Sequence, residues 1–481
     1  MFFSGKRWAV YVLLAVCAIL ITLIVTERSS RVVTVSEGEN GFAPQKLSIH
    51  KGDTVRFVND TGGYIWPASD FHPTHRTYPE FDPKEPIAPG GTWTFEFKKA
   101  GVWAYHDHLS SNFHGTVIVV GTPGEASREC LSRTASSSTR ALCWEGDITD
   151  TLEPKGLSAA FETFASLYAR EPLFRGLNCH DATHIIGKAA YRAYADDHTI
   201  IDRRETSYCG YGFYHGFIET MLLNEGPGQY GKVRAYCDAL KSGGQLNNVS
   251  GACYHGIGHA AFDSVPGRLW GDATAMVENA LDTCEKAALG KPERAQCGTG
   301  VFNAFAVAAS AHSYKLAFEK TDPLGICRVQ RSLYQPGCYG EVGIGAIREQ
   351  KLDRATSLQL IASFPDAAVE KALLGYVADE VKRSIGTIDL RAFYRLCTSF
   401  SSTKERSACM NGIIAGMREA GEPGKEYLLM FRYCAFYPKS ATRDDCYSFA
   451  ISQTRTIAAD TSDFENACMT IEDADVRGMC K

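Results

Sequence analysis

Apolar and polar residues follow three patterns along the 481-residue chain, and the first is a single apolar run near the N-terminus. The run covers eighteen residues, from Trp8 to Val25, and two basic residues precede it. A run of this length can just cross the hydrocarbon core of a membrane as a helix, and the basic flank keeps the N-terminus cytoplasmic. No cleavage site of small residues follows, which favours an uncleaved signal-anchor over a cleaved signal peptide. With either alternative, the chain after about Arg31 lies outside the cytoplasm, in the periplasm or the extracellular space.

The second pattern is an alternation of apolar and polar residues between residues 31 and 121. Turn signals such as Lys51-Gly52-Asp53 interrupt the alternation. A period of two predicts short strands that bury one face, and the turns between them are typical of a β-sandwich. The alternating apolar residues are Leu47 and Ile49, Val55 and Phe57, Trp93, Phe95 and Phe97, and Val117 and Val119.

The third pattern, helical spacing of apolar residues, belongs to residues 130–481, beyond a short linker at 122–129. This part also holds sixteen of the seventeen cysteines. An even number of regularly spaced cysteines predicts disulfides, and therefore an oxidising compartment. The predicted pairs are Cys130/Cys143, Cys179/Cys209, Cys237/Cys253, Cys284/Cys297, Cys327/Cys338, Cys397/Cys409, Cys434/Cys446 and Cys468/Cys480.

The second cysteine of each pair marks a repeat. Successive repeats are mostly 34 to 44 residues long, and one segment of 71 residues holds two of them. The repeat near Ala372 has lost both cysteines together, which is what partners in a local disulfide would show. A period of this size predicts an all-α, solenoid-like array of helix pairs. A glycine recurs three residues after the cysteine, at Gly212, Gly256, Gly300 and Gly412.

Five histidines lie in the first helices of this array. His180 and His184 are four residues apart, as are His255 and His259. This spacing places both side chains on one face of a helix, as in helices that chelate a metal. The repeat makes His184, His215 and His259 equivalent, so we expect the five rings to lie close together. Later repeats keep the glycine but lose histidine, which favours a local site over a purely structural role.

Two carboxylates follow these histidines at the same spacing, Glu219 after His215 and Asp263 after His259. A metal held by the cluster could activate water or oxygen, with either carboxylate as general base. The alternative is that the histidines have a structural role, packing at the start of each helix. The array would then be a scaffold that binds a protein partner.

The first domain resembles a known family. In order along the chain, residues 31–121 carry Phe42-x-Pro44, Lys51-Gly52-Asp53-x-Val55-x-Phe57, Gly101-x-Trp103-x-Tyr105-His106 and Gly115-Thr116-Val117. This order resembles the cupredoxin fold, which implies an all-β Greek-key sandwich with metal ligands at one end. Residues 103–115 contain neither the cysteine nor the methionine of a blue-copper site, so a type 1 site is not expected.

The resemblance also implies that two histidine clusters meet, His72 with His75 and His106 with His108. His114 is a fifth candidate. Neutral imidazole suits copper and zinc; the resemblance implies copper first, with zinc or iron possible. In a strand, His106 and His108 share a face while the residue between them points away. The alternative is that these histidines form hydrogen bonds with the loop backbone and bind no metal. The carboxylates expected to orient the rings are Asp70, Glu80, Asp82 and Asp107.

Together these patterns predict a multidomain protein of the cell membrane that crosses it once. Residues 1–30 form a cytoplasmic stub and transmembrane anchor, 31–121 a cupredoxin-like domain, and 130–481 the helical repeat domain. The net charge of −5 gives no electrostatic support for a nucleic-acid partner. The predicted function is metal binding outside the cytoplasm at two histidine sites. A metal-dependent oxidoreductase or hydrolase at the helical cluster is the alternative, with the partner-binding scaffold as a third.

Overall fold

The structure is a computed structural model, and it describes a large part of the chain beyond the N-terminal segment. Among these residues, no helix is both long and apolar enough to cross a membrane. The predicted anchor, residues 8–25, and the pair Cys130/Cys143 lie outside the described part, so both stay predictions. The described residues are 30–69, 78–109, 113–120, 144, 147–148, 151–152, 155–175, 179–194, 204–225, 230–242, 249–384, 387–458 and 460–480.

The N-terminal domain is a sandwich of two four-stranded sheets, in the orders β2-β1-β4-β6 and β3-β8-β7-β5. Strand β1 runs parallel to β4, and β3 parallel to β8, whereas the other neighbours are antiparallel. The strands are β1 Val32–Gly38, β2 Gly41–Ala43, β3 Lys46–His50, β4 Thr54–Asn59, β5 Pro67–Ser69, β6 Thr92–Glu96, β7 Gly101–Asp107 and β8 His114–Val120.

The predicted alternation is clearest in β4, which buries every second side chain. In β4, Val55 and Phe57 are fully buried while Arg56 between them is exposed. The ring of Phe57 packs 5.4 Å from those of Phe81 and Tyr105, centroid to centroid. These contacts hold β7 in the core and thereby set the position of the histidines that follow Tyr105.

The second domain is all-helical. Side chains such as Asp272, which accepts a hydrogen bond from the backbone N–H of Ala275, cap the starts of many helices. The helices are α1 Leu157–Arg170, α2 Pro172–Arg175, α3 Cys179–Tyr194, α4 Tyr208–Glu225, α5 Tyr230–Ser242, α6 Val249–Asp263, α7 Ala273–Ala287, α8 Lys291–Ala311, α9 Gly325–Arg328, α10 Gln335–Glu349, α11 Arg354–Ala362, α12 Asp366–Arg383, α13 Leu390–Thr398, α14 Thr403–Ala420, α15 Glu426–Cys434, α16 Ala441–Ile457, α17 Thr461–Met469 and α18 Ala474–Arg477.

In the described part of the chain, disulfides join neighbouring helices as the cysteine spacing predicts. The bond between Cys284 and Cys297, for example, ties the end of α7 to α8. Closing a loop of that length stabilises the fold by about 3 kcal/mol in the chain-entropy account. The other predicted pairs that the structure describes are also bonded, namely Cys179–Cys209, Cys237–Cys253, Cys327–Cys338, Cys397–Cys409, Cys434–Cys446 and Cys468–Cys480.

The helical array closes into a ring. Seven helices, here called the ring helices, each pack on the next: α3, α4, α6, α8, α10, α12 and α14. The last of them, α14, packs back on α3 and α4. The backbone N–H of Cys209 donates to the carboxylate of Glu426, 3.0 Å away, across this closure. Further closing contacts join Tyr168 to Ala420, Ser207 to Ile457, and Arg204 to Asp463.

The closed ring differs from the open-ended solenoid that the repeat predicts. A solenoid leaves its two ends apart, whereas a regular rotation between successive repeats can bring them together. The consequence for function is that ring helices far apart in sequence, such as α3 and α14, lie side by side.

Candidate metal centre

The five helical-domain histidines converge on one place. His180 and His184 lie on α3, His215 on α4, and His255 and His259 on α6, and these three ring helices are neighbours. Centroids of the stacked rings of His215 and His255 are 4.7 Å apart, and those of His184 and His259 are 6.5 Å apart. The repeat alignment therefore places the rings correctly, while their role as ligands stays a prediction.

Three of these histidines are close enough to share one ion. One ring nitrogen each of His180, His184 and His215 lies within 4.8 Å of the others. The remaining two, His255 and His259, approach each other with their Nε2 atoms 3.0 Å apart. The arrangement gathers more imidazole nitrogens than the four ligands of one tetrahedral site.

Two hydrogen bonds fix which nitrogen of the ring faces the cluster. The Nδ1 of His180 lies 2.8 Å from the carbonyl oxygen of Cys209, which can only accept, so Nδ1 carries the proton. The Nδ1 of His255 lies 3.1 Å from the hydroxyl of Thr299, which donates to the carbonyl of Gln296. In both rings the unprotonated Nε2 therefore points towards another histidine, as metal-binding imidazoles require.

Four of the five rings are electrostatically suited to stay neutral. Burial, followed by the neighbouring imidazoles and Lys188, lowers the pKa of His184 well below its usual 6.5. Burial and the other histidines likewise lower the pKa of His215 and His255 far below that value, and burial lowers that of His259. The Nε2 of His184 is buried with no hydrogen-bond partner in the described part of the chain. Neutral rings with an unpartnered nitrogen are what a metal ion would satisfy.

The two candidate bases have different surroundings. Glu219 on α4 forms a buried ion pair with Lys188 of α3, at 2.8 Å. Asp263 at the end of α6 accepts a hydrogen bond from the hydroxyl of Tyr314, 3.2 Å away. Burial raises the pKa of Asp263 to about 6, which is nearer to the working range of a general base.

The β-domain histidines face the helical domain. His106 and His108 are both buried, with ring centroids 6.0 Å apart. The ring of His108 packs 4.9 Å from that of Tyr314 and 5.2 Å from that of Trp270. Tyr314 also donates to Asp263, whose carboxylate is close enough to His259 to act on its pKa, so these residues lie between the two histidine groups. His72 and His75 lie outside the described residues, and the side chain of His114 is exposed.

The carboxylates expected beside the β-domain rings have other roles. Asp107 is buried and accepts from the backbone N–H groups of Trp66 and Leu109, at 2.6 and 3.2 Å. It therefore holds the loop rather than pointing into solvent. The carboxylate of Asp82 accepts from the indole of Trp66, at 2.9 Å, and Glu80 pairs with Lys99. Asp70 lies outside the described residues.

Sequence reasoning missed the residues that join the domains and those that line the ring interior. Tyr314 sits in a turn after α8 where its φ is 54°, a left-handed conformation that non-glycine residues seldom adopt. Neither this turn nor Trp270 carries a motif or a repeat position, so nothing in the sequence marked them.

A cavity of about 430 Å³ lies inside the ring. Four ring helices line it, α8, α10, α12 and α14, and α8 and α14 are not neighbours, so the space lies between separate parts of the ring. It borders the histidines: a Cβ built on Gly210 would lie 2.7 Å from Cγ of Glu419, a lining residue, and 3.6 Å from Nδ1 of His180. A molecule in the cavity would therefore be near the cluster.

Comparison with known proteins finds similar solved structures that cover about a fifth of the chain. No family model matches the chain, and no curated protein matches it. Similar solved structures include a purple cupredoxin from Nitrosopumilus maritimus, 18% identical over 18% of this chain and 99% of that one, with a TM-score of 0.16. Plastocyanin from Dryopteris crassirhizoma is 16% identical over 18% of this chain and all of its own, at 0.16. A reduced amicyanin variant is 16% identical over 20% and 87%, at 0.17. These structures are cupredoxins, but likeness at this level carries no argument about function.

Proposed function

We propose that this protein binds metal outside the cytoplasm, and that the five-histidine cluster is its principal metal centre. The observation that supports this best is the convergence of five imidazoles, of which His180 and His255 direct Nε2 towards a neighbouring ring. Among the described residues, the buried Nε2 of His184 in this cluster has no hydrogen-bond partner. An ion among the rings would give that nitrogen a partner.

Copper is the metal we propose. A site built only of imidazole nitrogen suits copper and zinc, and among divalent ions of this series Cu²⁺ binds such donors most tightly. His106 and His108, with His72 and His75, form the proposed second copper site, in the β-domain. The disulfides of the helical domain support a location in the oxidising space outside the cytoplasm, with the apolar N-terminal run as the proposed membrane anchor.

Elemental analysis of the purified chain tests this proposal. We expect the wild-type protein to retain copper after dialysis, and His106→Ala and His259→Ala to lose separate portions of it. A matched substitution at an exposed histidine outside both groups, His50→Ala, should leave the metal content unchanged. Absence of bound metal in every form would refute both sites.

A metal-dependent enzyme, an oxidoreductase or hydrolase, is the second candidate function. The cavity beside the cluster favours it, because a site that only stores metal does not need an adjoining space. Asp263 is then the proposed general base, held by Tyr314. If the metal keeps an open coordination position, azide should bind to the copper-loaded protein and alter its electron paramagnetic resonance spectrum; a spectrum unaffected by saturating azide would favour storage or transport instead.

A further inference from the structure

The cavity inside the ring arises from a substitution pattern within the repeat. The position that holds His215 on α4 and His259 on α6 is six residues after the marker cysteine. On α8 the same position is Asn303, on α10 it is Ile344, and on α12 and α14 it is Ala378 and Ala415. All four residues line the cavity, so it lies beside the ring helices in which the repeat position no longer carries an imidazole.

The wall of the cavity has an apolar region. Ala306, Ile344, Gly375 and Ala378 border the space, together with Ala415. A volume of about 430 Å³ falls within the range of roughly 300–1,000 Å³ that holds small molecules. The size and this region suit the apolar body of a small molecule, while charged side chains, among them Glu341 and Glu349, form much of the remaining wall.

The cations of the cavity differ in whether a carboxylate neutralises them. Lys382 lies 2.9 Å from the carboxylate of Glu419, and Arg348 forms an ion pair with Asp379. Lys371 also lines the cavity and its side chain is exposed, and among the described residues no ion pair to a carboxylate is formed by it. Lys371 is thus a cation that a ligand could pair with.

Lys371 also lies on the side of the cavity that borders the cluster. Its positive charge is close enough to His255 to contribute to the lowered pKa of that ring. Its aliphatic stem packs near Gly340 of α10, where a Cβ would lie 3.4 Å from Cγ of the lysine. An anionic group bound by Lys371 would accordingly lie between the apolar wall and the five histidines.

We propose that the cavity binds a small carboxylic acid with an apolar body, and that Lys371 pairs with its carboxylate. The apolar body lies against the small side chains of α12 and α14, and the carboxylate lies beside the histidine cluster. This inference deepens the proposed function, since it names the class of molecule that would reach the metal centre.

Isothermal titration calorimetry on the full chain tests the inference with matched probes. Hexanoate and benzoate carry the carboxylate, whereas hexanamide and benzamide keep the same bodies without the charge. We expect saturable binding of at least one acid, at least tenfold tighter than its amide. Lys371→Met should weaken binding of the acid at least tenfold without changing that of the amide, and Lys371→Arg should restore it.

The control variant is Lys404→Met, which removes an exposed lysine of α14 outside the cavity and should have no effect. No saturable binding of either acid, or equal affinity of Lys371→Met and wild type, overturns the inference. Copper content is measured in the same samples, so loss of the metal centre and loss of the carboxylate site are distinguished: a variant that retains copper but not the acid supports both proposals.

Discussion

Single hydrogen bonds determine what the histidine cluster can do. The carbonyl of Cys209 and the hydroxyl of Thr299 hold protons on the outer nitrogens of His180 and His255. The inner nitrogens of these rings are thereby left as acceptors, which is the state that binds a metal. Cys209 contributes through its backbone while its sulfur is bonded to Cys179, so the repeat disulfide and the ring orientation are set by the same residue.

At the residue scale, the buried carboxyl pair beneath the β-domain histidines makes a prediction about pH. Glu37 and Asp107 are both buried, and burial together with the charge of Asp107 raises the pKa of Glu37 from 4.5 to about 9. Between these values the folded protein keeps a proton that the unfolded chain releases, so the free energy of unfolding falls as the pH rises.

The variant Glu37→Gln should remove much of this dependence, because its amide donates to Asp107 without taking up a proton. Urea unfolding between pH 5 and pH 9 measures how the free energy of unfolding changes with pH. We expect this free energy to fall less steeply with pH in Glu37→Gln than in wild type. The control Glu39→Gln changes an exposed neighbour and should follow wild type. Equal slopes for Glu37→Gln and wild type would mean that the pair shares no proton.

At the scale of the helix, close approach of backbones holds the histidine-bearing elements together. Gly258 of α6 lies against α8, and a Cβ there would overlap the carbonyl oxygen of Cys297 and lie 2.8 Å from the backbone nitrogen of Val301. Gly258 directly precedes His259, so the contact that joins α6 and α8 also fixes the position of the His259 imidazole.

The pair Gly258→Ala and Gly231→Ala tests this contact. A Cβ added to Gly231 of α5 would meet no heavy atom within 4 Å, so alanine there should be neutral or stabilise by up to about 1 kcal/mol. Alanine at Gly258 must separate two backbones, which we expect to cost about 3 kcal/mol or more. Chemical denaturation of both variants measures their free energies of unfolding. Similar values would show that α6 and α8 are not so closely packed.

At the scale of the whole molecule, closure of the ring makes distant repeats part of the metal centre. The N–H of Cys209 donates to Glu426, and the carbonyl of the same residue accepts from His180. A residue 217 positions away in sequence therefore supports a ring of the cluster, which an open array would not allow.

Glu426→Ala should accordingly weaken copper binding at the five-histidine cluster by about tenfold or more, as loss of an orienting contact commonly does. Competition titration against a chelator of known affinity measures the change. Glu422→Ala, which removes an exposed carboxylate paired with Lys425, is the control and should bind as wild type does. Unchanged affinity in Glu426→Ala would indicate that the closure does not support the cluster.

The sequence predicts features that lie within one repeat, and it does not predict those that depend on the whole molecule. Disulfides such as Cys284–Cys297 join residues within one repeat, and the histidine register follows from the repeat, so local spacing was sufficient for both. Closure of the ring depends on a small rotation accumulated over seven helices, which no single repeat reveals. The roles of Tyr314 and Lys371 depend on that closure or on domain packing, and for this reason neither could be predicted.

The most direct test of the central claim is X-ray absorption spectroscopy at the copper edge on the purified protein and on His184→Ala. The account predicts a nitrogen shell with the multiple scattering of several imidazole rings, with fewer imidazoles in the variant. A shell of oxygen or sulfur ligands, or identical spectra in the two proteins, would contradict it.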